Sequence, residues 1–172
     1  MTLNLPIDSA ETSQLEFVYL LPGALYCTHR PRVVSTVLGS CVALCLWDRH
    51  RRIAGINHFV LPYCGNEEPS LRYGDFSIAQ LLEAMRRHGG RIADMEAKIF
   101  GGAAVIPVAA IEGSVGGKNV SLALEYMAAK GIPVVARRSG GRRGLLIRMS
   151  TCTGEVLVRP IPPTQIFENW VK

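Results

Sequence analysis

The chain has 172 residues, enough for one domain with a sizeable core, and 48% of them are hydrophobic against 19% charged. That balance excludes a disordered or fibrous protein, and no apolar run reaches the roughly 18–20 residues of a transmembrane helix. The net charge of +5 favours an acidic partner, but the aromatics are too sparse among the basic residues to form base-stacking platforms, so nucleic acid is not expected.

Met1 to Thr12 carries two acids and no basic residue, unlike the charged start of a signal peptide. Residues 1–13 read as a lead-in and residues 14–172 as a single domain, with no repeat or linker dividing it. A cytoplasmic location follows, and with it free thiols for Cys27, Cys41, Cys45, Cys64 and Cys152. Their irregular spacing contains no C-x-x-C, and no carboxylate cluster accompanies them, so neither a metal nor a cofactor is expected.

Leu15 to Leu21 is an apolar run stopped by Pro22-Gly23, a strand and a turn. Val33 to Leu38 is a second short strand, ending at Gly39-Ser40. Val42 to Trp47 is apolar at every position, the pattern of a strand covered on both faces. After the charged connection from Asp48 to Arg52, Ile53 to Leu61 forms the next strand, and Pro62 to Asp75 a loop. Ile78, Leu81, Leu82 and Met85 have helical spacing, closed by Gly89-Gly90. Ala97 to Phe100 is a strand. Asn119 is a candidate N-cap for a helix through Lys130, closed by Gly131. Ile132 to Ala136 is a strand, and Leu145 to Met149 pairs with Glu155 to Arg159 as a hairpin. The fold class is α/β (α+β): layered, packed mixed and antiparallel sheets with outer helices.

One pair of residues stands out chemically. If the connection between the two central strands is centred between Arg49 and His50, Cys41 lies opposite His58 on a common face. A thiol beside an imidazole is a nucleophile beside a proton acceptor: an imidazolium stabilises the thiolate and can later protonate a departing amine. Gly39-Ser40 would let the backbone turn tightly and expose the sulfur, and N–H groups there could hold an oxyanion. A hydroxyl should orient the imidazole. Ser35 shares the strand parity of Cys41, whereas Thr36 points the other way if the segment stays extended. Against this, a cysteine in an apolar strand is ordinarily a small buried hydrophobe, and a lone strand histidine is ordinarily a hydrogen-bonded core residue. Cys45 reads as core. Cys27, Cys64 and Cys152 lie near turns without a placed histidine, and His29, His50 and His88 read as surface residues. The segment from Gly113 to Asn119 lacks one spacer of a phosphate loop and its Ser or Thr.

Thr36 to Leu46, containing Gly39-Ser40-Cys41, resembles the signature of the CheD family of chemoreceptor glutamine deamidases, and Asn57-His58-Phe59-Val60-Leu61-Pro62 resembles its second motif. The likeness continues through Arg72-Tyr73-Gly74-Asp75, Ala97 to Ala103, Gly131 to Ala136, Gly140-Gly141 with Arg143-Gly144, and Thr153 to Val156. The resemblance implies a Cys/His/hydroxyl triad of Cys41, His58 and Ser35, six residues before the cysteine, with Thr36 as the neighbouring alternative. It implies a fold like the deamidase domain of cytotoxic necrotizing factor toxins. The substrate it implies is a glutamine in the cytoplasmic domain of a methyl-accepting chemoreceptor, with a CheC-type phosphatase as a further possible partner. Two other functions fit the residues: a non-enzymatic chemotaxis adaptor, and a cysteine-dependent methylesterase or peptidase.

Overall fold

Strand β4 (Val42–Asp48) is buried at all seven positions, so a layer must cover each of its faces. A computed structural model, which describes residues 15–104 and 113–162, supplies both layers. The expected lead-in, residues 1–13, lies outside the described residues. β4 is central in a five-stranded sheet ordered β2 (Ala24–Thr28), β5 (Ile53–His58), β4, β6 (Met95–Gly101) and β7 (Val134–Ser139). Only β6 and β7 run parallel in it. A four-stranded sheet is ordered β1 (Glu16–Tyr19), β3 (Arg32–Leu38), β8 (Leu145–Ser150) and β9 (Val156–Pro160), with β1 parallel to β3 and the other pairs antiparallel. Helices α1 (Gly74–Arg87) and α2 (Val115–Lys130) pack on the five-stranded sheet. The architecture is mixed α/β with two mixed sheets and two helices.

The alternation of side chains along β4 divides the core. Leu44 and Leu46 meet Ile78, Leu81 and Met85 of α1 and Met127 of α2 on the helical side. Ala43, Cys45 and Trp47 meet Val34, Leu38, Ile147 and Met149 between the two sheets. Cys45, 1% exposed, is core as its neighbours in sequence imply.

Beyond shifts of up to three residues in strand ends, three elements and one register differ from their sequence reading. β2 has no alternating pattern, because it is a half-buried strand at the sheet margin pairing only with β5. α1 starts at Gly74 rather than Ile78; the inward position of its first turn is a glycine packed against Phe59 and Leu122, invisible to hydrophobic periodicity. α2 is capped by Ser114, whose Oγ accepts from the Gly117 N–H at 3.1 Å. Asn119 is therefore not a cap but a buried residue inside the helix.

The fourth difference is the register of β4 on β5. Cys45 pairs with Ile56 and Asp48 with Ile53, two residues away from the expected register. Asp48 Oδ1 accepts the N–H groups of His50 and Arg51, and Arg52 takes a left-handed φ of 54°. Those contacts close a four-residue turn over 49–52 centred one residue later than expected. A shift of two residues preserves the face of every side chain, so Cys41 and His58 keep a common side but lie diagonally.

This layering predicts unequal costs of truncation. Leu44→Ala, at a fully buried position, should cost about 2–5 kcal/mol in denaturant unfolding. Leu157→Ala, on the outer face of the four-stranded sheet, should stay within about 0.5 kcal/mol of the parent.

Candidate active site

Between Leu38 and Val42 the chain leaves one sheet and enters the other, and Gly39, Ser40 and Cys41 make the crossing. All three carbonyls of this loop are held. Gly39 O accepts from the Ala103 N–H at 2.8 Å, Ser40 O from Asn119 Nδ2 at 3.1 Å, and Cys41 O from the Gly102 N–H at 2.8 Å. Gly39 does not take a positive φ; the left-handed glycines lie in the facing segment, at Gly101 (φ 104°) and Gly102 (φ 69°). Any side chain at Gly101 would collide with the Cys41 carbonyl. With the carbonyls turned toward that segment, the N–H groups of Ser40 and Cys41 donate to no other described residue. Cys41 itself is half-buried against the core between the sheets.

His58 is the last residue of β5, 1% exposed, and its backbone is fixed by β2, with the Gly23 N–H donating to its carbonyl at 2.7 Å. The two-residue period of β5 puts it on the side of Ala54 and Ile56, between the sheets. The Val42–Phe59 backbone bridge, with N–O distances of 3.1 and 3.0 Å, joins the residues that follow Cys41 and His58. In a regular sheet such diagonal neighbours lie about 7–8 Å apart at Cα, within reach of an imidazole and a sulfur.

Thr36, not Ser35, meets the imidazole. Thr36 Oγ1 lies 2.8 Å from His58 Nδ1 and donates to the Leu20 carbonyl at 2.7 Å. The hydroxyl has one proton, and a carbonyl can only accept; so the Thr36 proton goes to Leu20, and Nδ1–H of His58 donates to Thr36 Oγ1. That fixes the proton on Nδ1 and leaves Nε2 with a free lone pair. Nε2 is buried and has no hydrogen-bond partner among the described residues. Ser35 faces the outer side of the four-stranded sheet, opposite Tyr19 and Arg148. The parity argument that favoured it fails because β3 and β4 belong to different sheets, and the crossing loop resets which residues point inward.

Asn57, on the other face of β5, accepts the Leu44 N–H at 2.9 Å through Oδ1 and donates to Ser77 Oγ at 3.0 Å. Its side chain stands in the β4–β5 ladder where the regular pairing breaks between Cys45–Ile56 and Val42–Phe59. Asn57, whose place beside His58 in an apolar strand marks it as a residue that helps hold the site together, does so through these bonds, whereas the part of Asn119 was hidden in the sequence. Gly116, in the glycine-rich segment, lets the first turn of α2 lie directly on the Gly102 backbone, which is a packing role. Cys27, Cys64 and Cys152 are half-buried away from His58, and His29, His50 and His88 are exposed. Among the described residues no group of three or more His, Cys, Asp or Glu could hold a metal, and no helix is long and apolar enough to cross a membrane.

Comparison with known proteins identifies the family. The family model for CheD chemotactic sensory transduction matches residues 61–160. A Rhodospirillum rubrum protein named "Probable chemoreceptor glutamine deamidase CheD" is 57% identical over 143 residues, covering 83% of this chain and 81% of that one. A stretch that long in a chain of 172 necessarily includes Cys41 and His58. "Probable chemoreceptor glutamine deamidase CheD 1" of Anaeromyxobacter dehalogenans is 42% identical over 84% of each chain. The Sulfurimonas denitrificans protein with the first of these names is 38% identical over 88% of this chain and 99% of its own. Among solved structures, the Bacillus licheniformis hypothetical protein YfiH matches with a TM-score of 0.47 and 15% identity over 77% of this chain and 68% of that one, too distant a likeness to bear on the site.

Burial sets the charge state of the pair. It pushes the His58 imidazole down to about 4, against a weaker opposing pull from the Leu20 carbonyl. It also raises the Cys41 thiol, partly offset by the residue's own backbone N–H. The resting pair at neutral pH is therefore neutral imidazole and neutral thiol, not the imidazolium–thiolate pair that the sequence suggested. Because folded His58 resists protonation, the unfolded chain binds more protons below its ordinary value of 6.5. The resulting stability is complete above 6.5 and is lost as pH falls toward 4, an effect of about 3 kcal/mol at most. Urea unfolding at the two ends of that range should show wild type losing more stability on acidification than His58→Gln, by up to this amount.

Proposed function

The chain belongs to the CheD family, and from that membership and the geometry above we propose that it is a protein-glutamine deamidase acting on chemoreceptors, with Cys41 as nucleophile and His58 as general base. The observation that carries this reading is the imidazole whose Nδ1 is held by Thr36 while Nε2 has no partner among the described residues, with the Val42–Phe59 bridge joining the residues that follow Cys41 and His58. A neutral base is what a neutral thiol requires. Nε2 accepts the Cys41 proton as sulfur attacks the glutamine carboxamide carbon, giving a tetrahedral oxyanion and an imidazolium. The N–H groups of Ser40 and Cys41, which donate to no other described residue, are the candidate oxyanion donors, with Gly39 anchoring the loop through its carbonyl.

Collapse of the intermediate passes the proton from Nε2 to the leaving nitrogen, and ammonia departs from a thioester. Water then attacks, its proton taken by Nε2, and releases glutamate and the free thiol. Thr36 plays the third part: its Oγ1 stays aligned with Nδ1–H through both proton transfers because its own proton is committed to Leu20. Ser35 has no part in this arrangement. The layering resembles that expected for the toxin deamidase domains, with a cysteine and a histidine brought together where strands of packed sheets meet.

The substrate in this reading is a glutamine on the cytoplasmic domain of a chemoreceptor, and the enzyme works in the cytoplasm. Arg142 and Arg143 are exposed on the turn after Gly140-Gly141, whose backbone bonds to Gly101 and Ala104 next to the Cys41 loop. They place positive charge one loop from the nucleophile, suited to drawing in an acidic receptor surface. A CheC-type phosphatase is a second candidate partner for the same chain.

Mass spectrometry of a receptor cytoplasmic domain incubated with the protein tests this. The wild type should add about one dalton per converted glutamine and release ammonia, and Cys41→Ala should do neither. Binding with no mass change would instead identify an adaptor, and chain cleavage or methanol release a different hydrolase. In the same assay Thr36→Val should lower kcat by about 100-fold, the scale of general-base assistance, while Ser35→Ala stays near wild type.

A further inference from the structure

We propose that Asn119 is the positioning residue that fixes the separation of Cys41 from His58. The inference rests on the deamidase reading and adds to it a residue that touches neither substrate nor reacting atoms. Asn119 lies in the first turns of α2 and is wholly buried. Its Nδ2 donates one proton to Ser40 O at 3.1 Å and the other to Val60 O at 2.9 Å. Ser40 immediately precedes the nucleophile, and Val60 lies two residues beyond the base. One amide therefore clamps the two backbone segments that carry the two groups, on the side where the Val42–Phe59 bridge is the neighbouring tie.

The clamp is specific to an amide. Both N–H groups are engaged with carbonyl oxygens, so the group cannot flip without setting its own oxygen against them. The remaining Oδ1 is buried with no hydrogen-bond partner among the described residues. A buried acceptor left unpaired is a cost, and stability alone gives no reason to bear it inside a helix otherwise packed by Leu122, Ala123 and Met127. The helix cannot drift to relieve it, because Gly116 sits against the Gly102 backbone, and the Gly102 N–H in turn holds Cys41 O. Without the shared donor, two carbonyl oxygens gathered around one nitrogen repel, and the segments part. A displacement of the order of 1 Å between reacting groups costs about 100-fold in rate.

The test is steady-state deamidation of a receptor cytoplasmic domain by wild type, Cys41→Ala, Asn119→Ala and His58→Ala, together with the Asn119→Ala/His58→Ala double variant. Far-UV circular dichroism at the assay temperature confirms folding. Asn119→Ala should lose about 100-fold in kcat with KM within about twofold of wild type. In the His58→Ala background the same change should cost nothing further, because the alignment it serves is already without a base. If Asn119→Ala fails to fold, Asn119→Ser, which keeps one donor, carries the same test with a smaller loss. Equal losses in both backgrounds, a rise in KM alone, or unchanged kcat would overturn the proposal. An inactive wild type, or an active Cys41→Ala, would instead overturn the deamidase reading on which it rests.

Discussion

A single hydrogen-bonded relay between two sheets organises the site: Leu20 carbonyl, Thr36 hydroxyl, His58 imidazole. Its members come from the segment after β1, from β3 in one sheet and from β5 in the other, so it forms only when the sheets are stacked in register. The relay decides where the imidazole proton resides. It thereby decides which nitrogen is left without a proton. Burial by the same stacked sheets keeps that nitrogen unprotonated at neutral pH. Fold and chemistry depend here on the same packing, since loosening the sheet interface would both wet the histidine and release its tautomer.

The second constraint is on the other side of the five-stranded sheet. The loop that carries Cys41 has its three carbonyls tied to the 102–103 backbone and to α2, and these ties turn its amide hydrogens away from the segment that holds it. Glycines at 101, 102 and 116 permit the backbone contacts on which this depends. Cys41 is thus placed by two main-chain bonds to the 102–103 segment and one buried side-chain amide, a more rigid mounting than an untethered surface loop.

Much of this was legible in the sequence, for physical reasons that can be named. An unbroken apolar run from Val42 to Trp47 can only be a strand covered twice, and it is. The face shared by Cys41 and His58 survived an error of two in register because strand periodicity is two. The identity of the orienting hydroxyl did not survive, because counting parity from Ser35 to Cys41 assumes one continuous strand where the chain changes sheets. Asn119 was hidden for a different reason. Its partners, Ser40 and Val60, are 79 and 59 residues away, and they are backbone carbonyls that leave no trace in residue type. Sequence pattern reports faces and periods; it does not report which long-range carbonyl a buried amide will meet.

The neutral imidazole with its proton on Nδ1 is the claim from which the mechanism is derived, and nitrogen-15 NMR of His58 in labelled protein tests it most directly. The account predicts at neutral pH a neutral ring with its proton on Nδ1 and a bare Nε2, titrating only near 4. A proton found on Nε2, or an imidazolium persisting above 6.5, would contradict it.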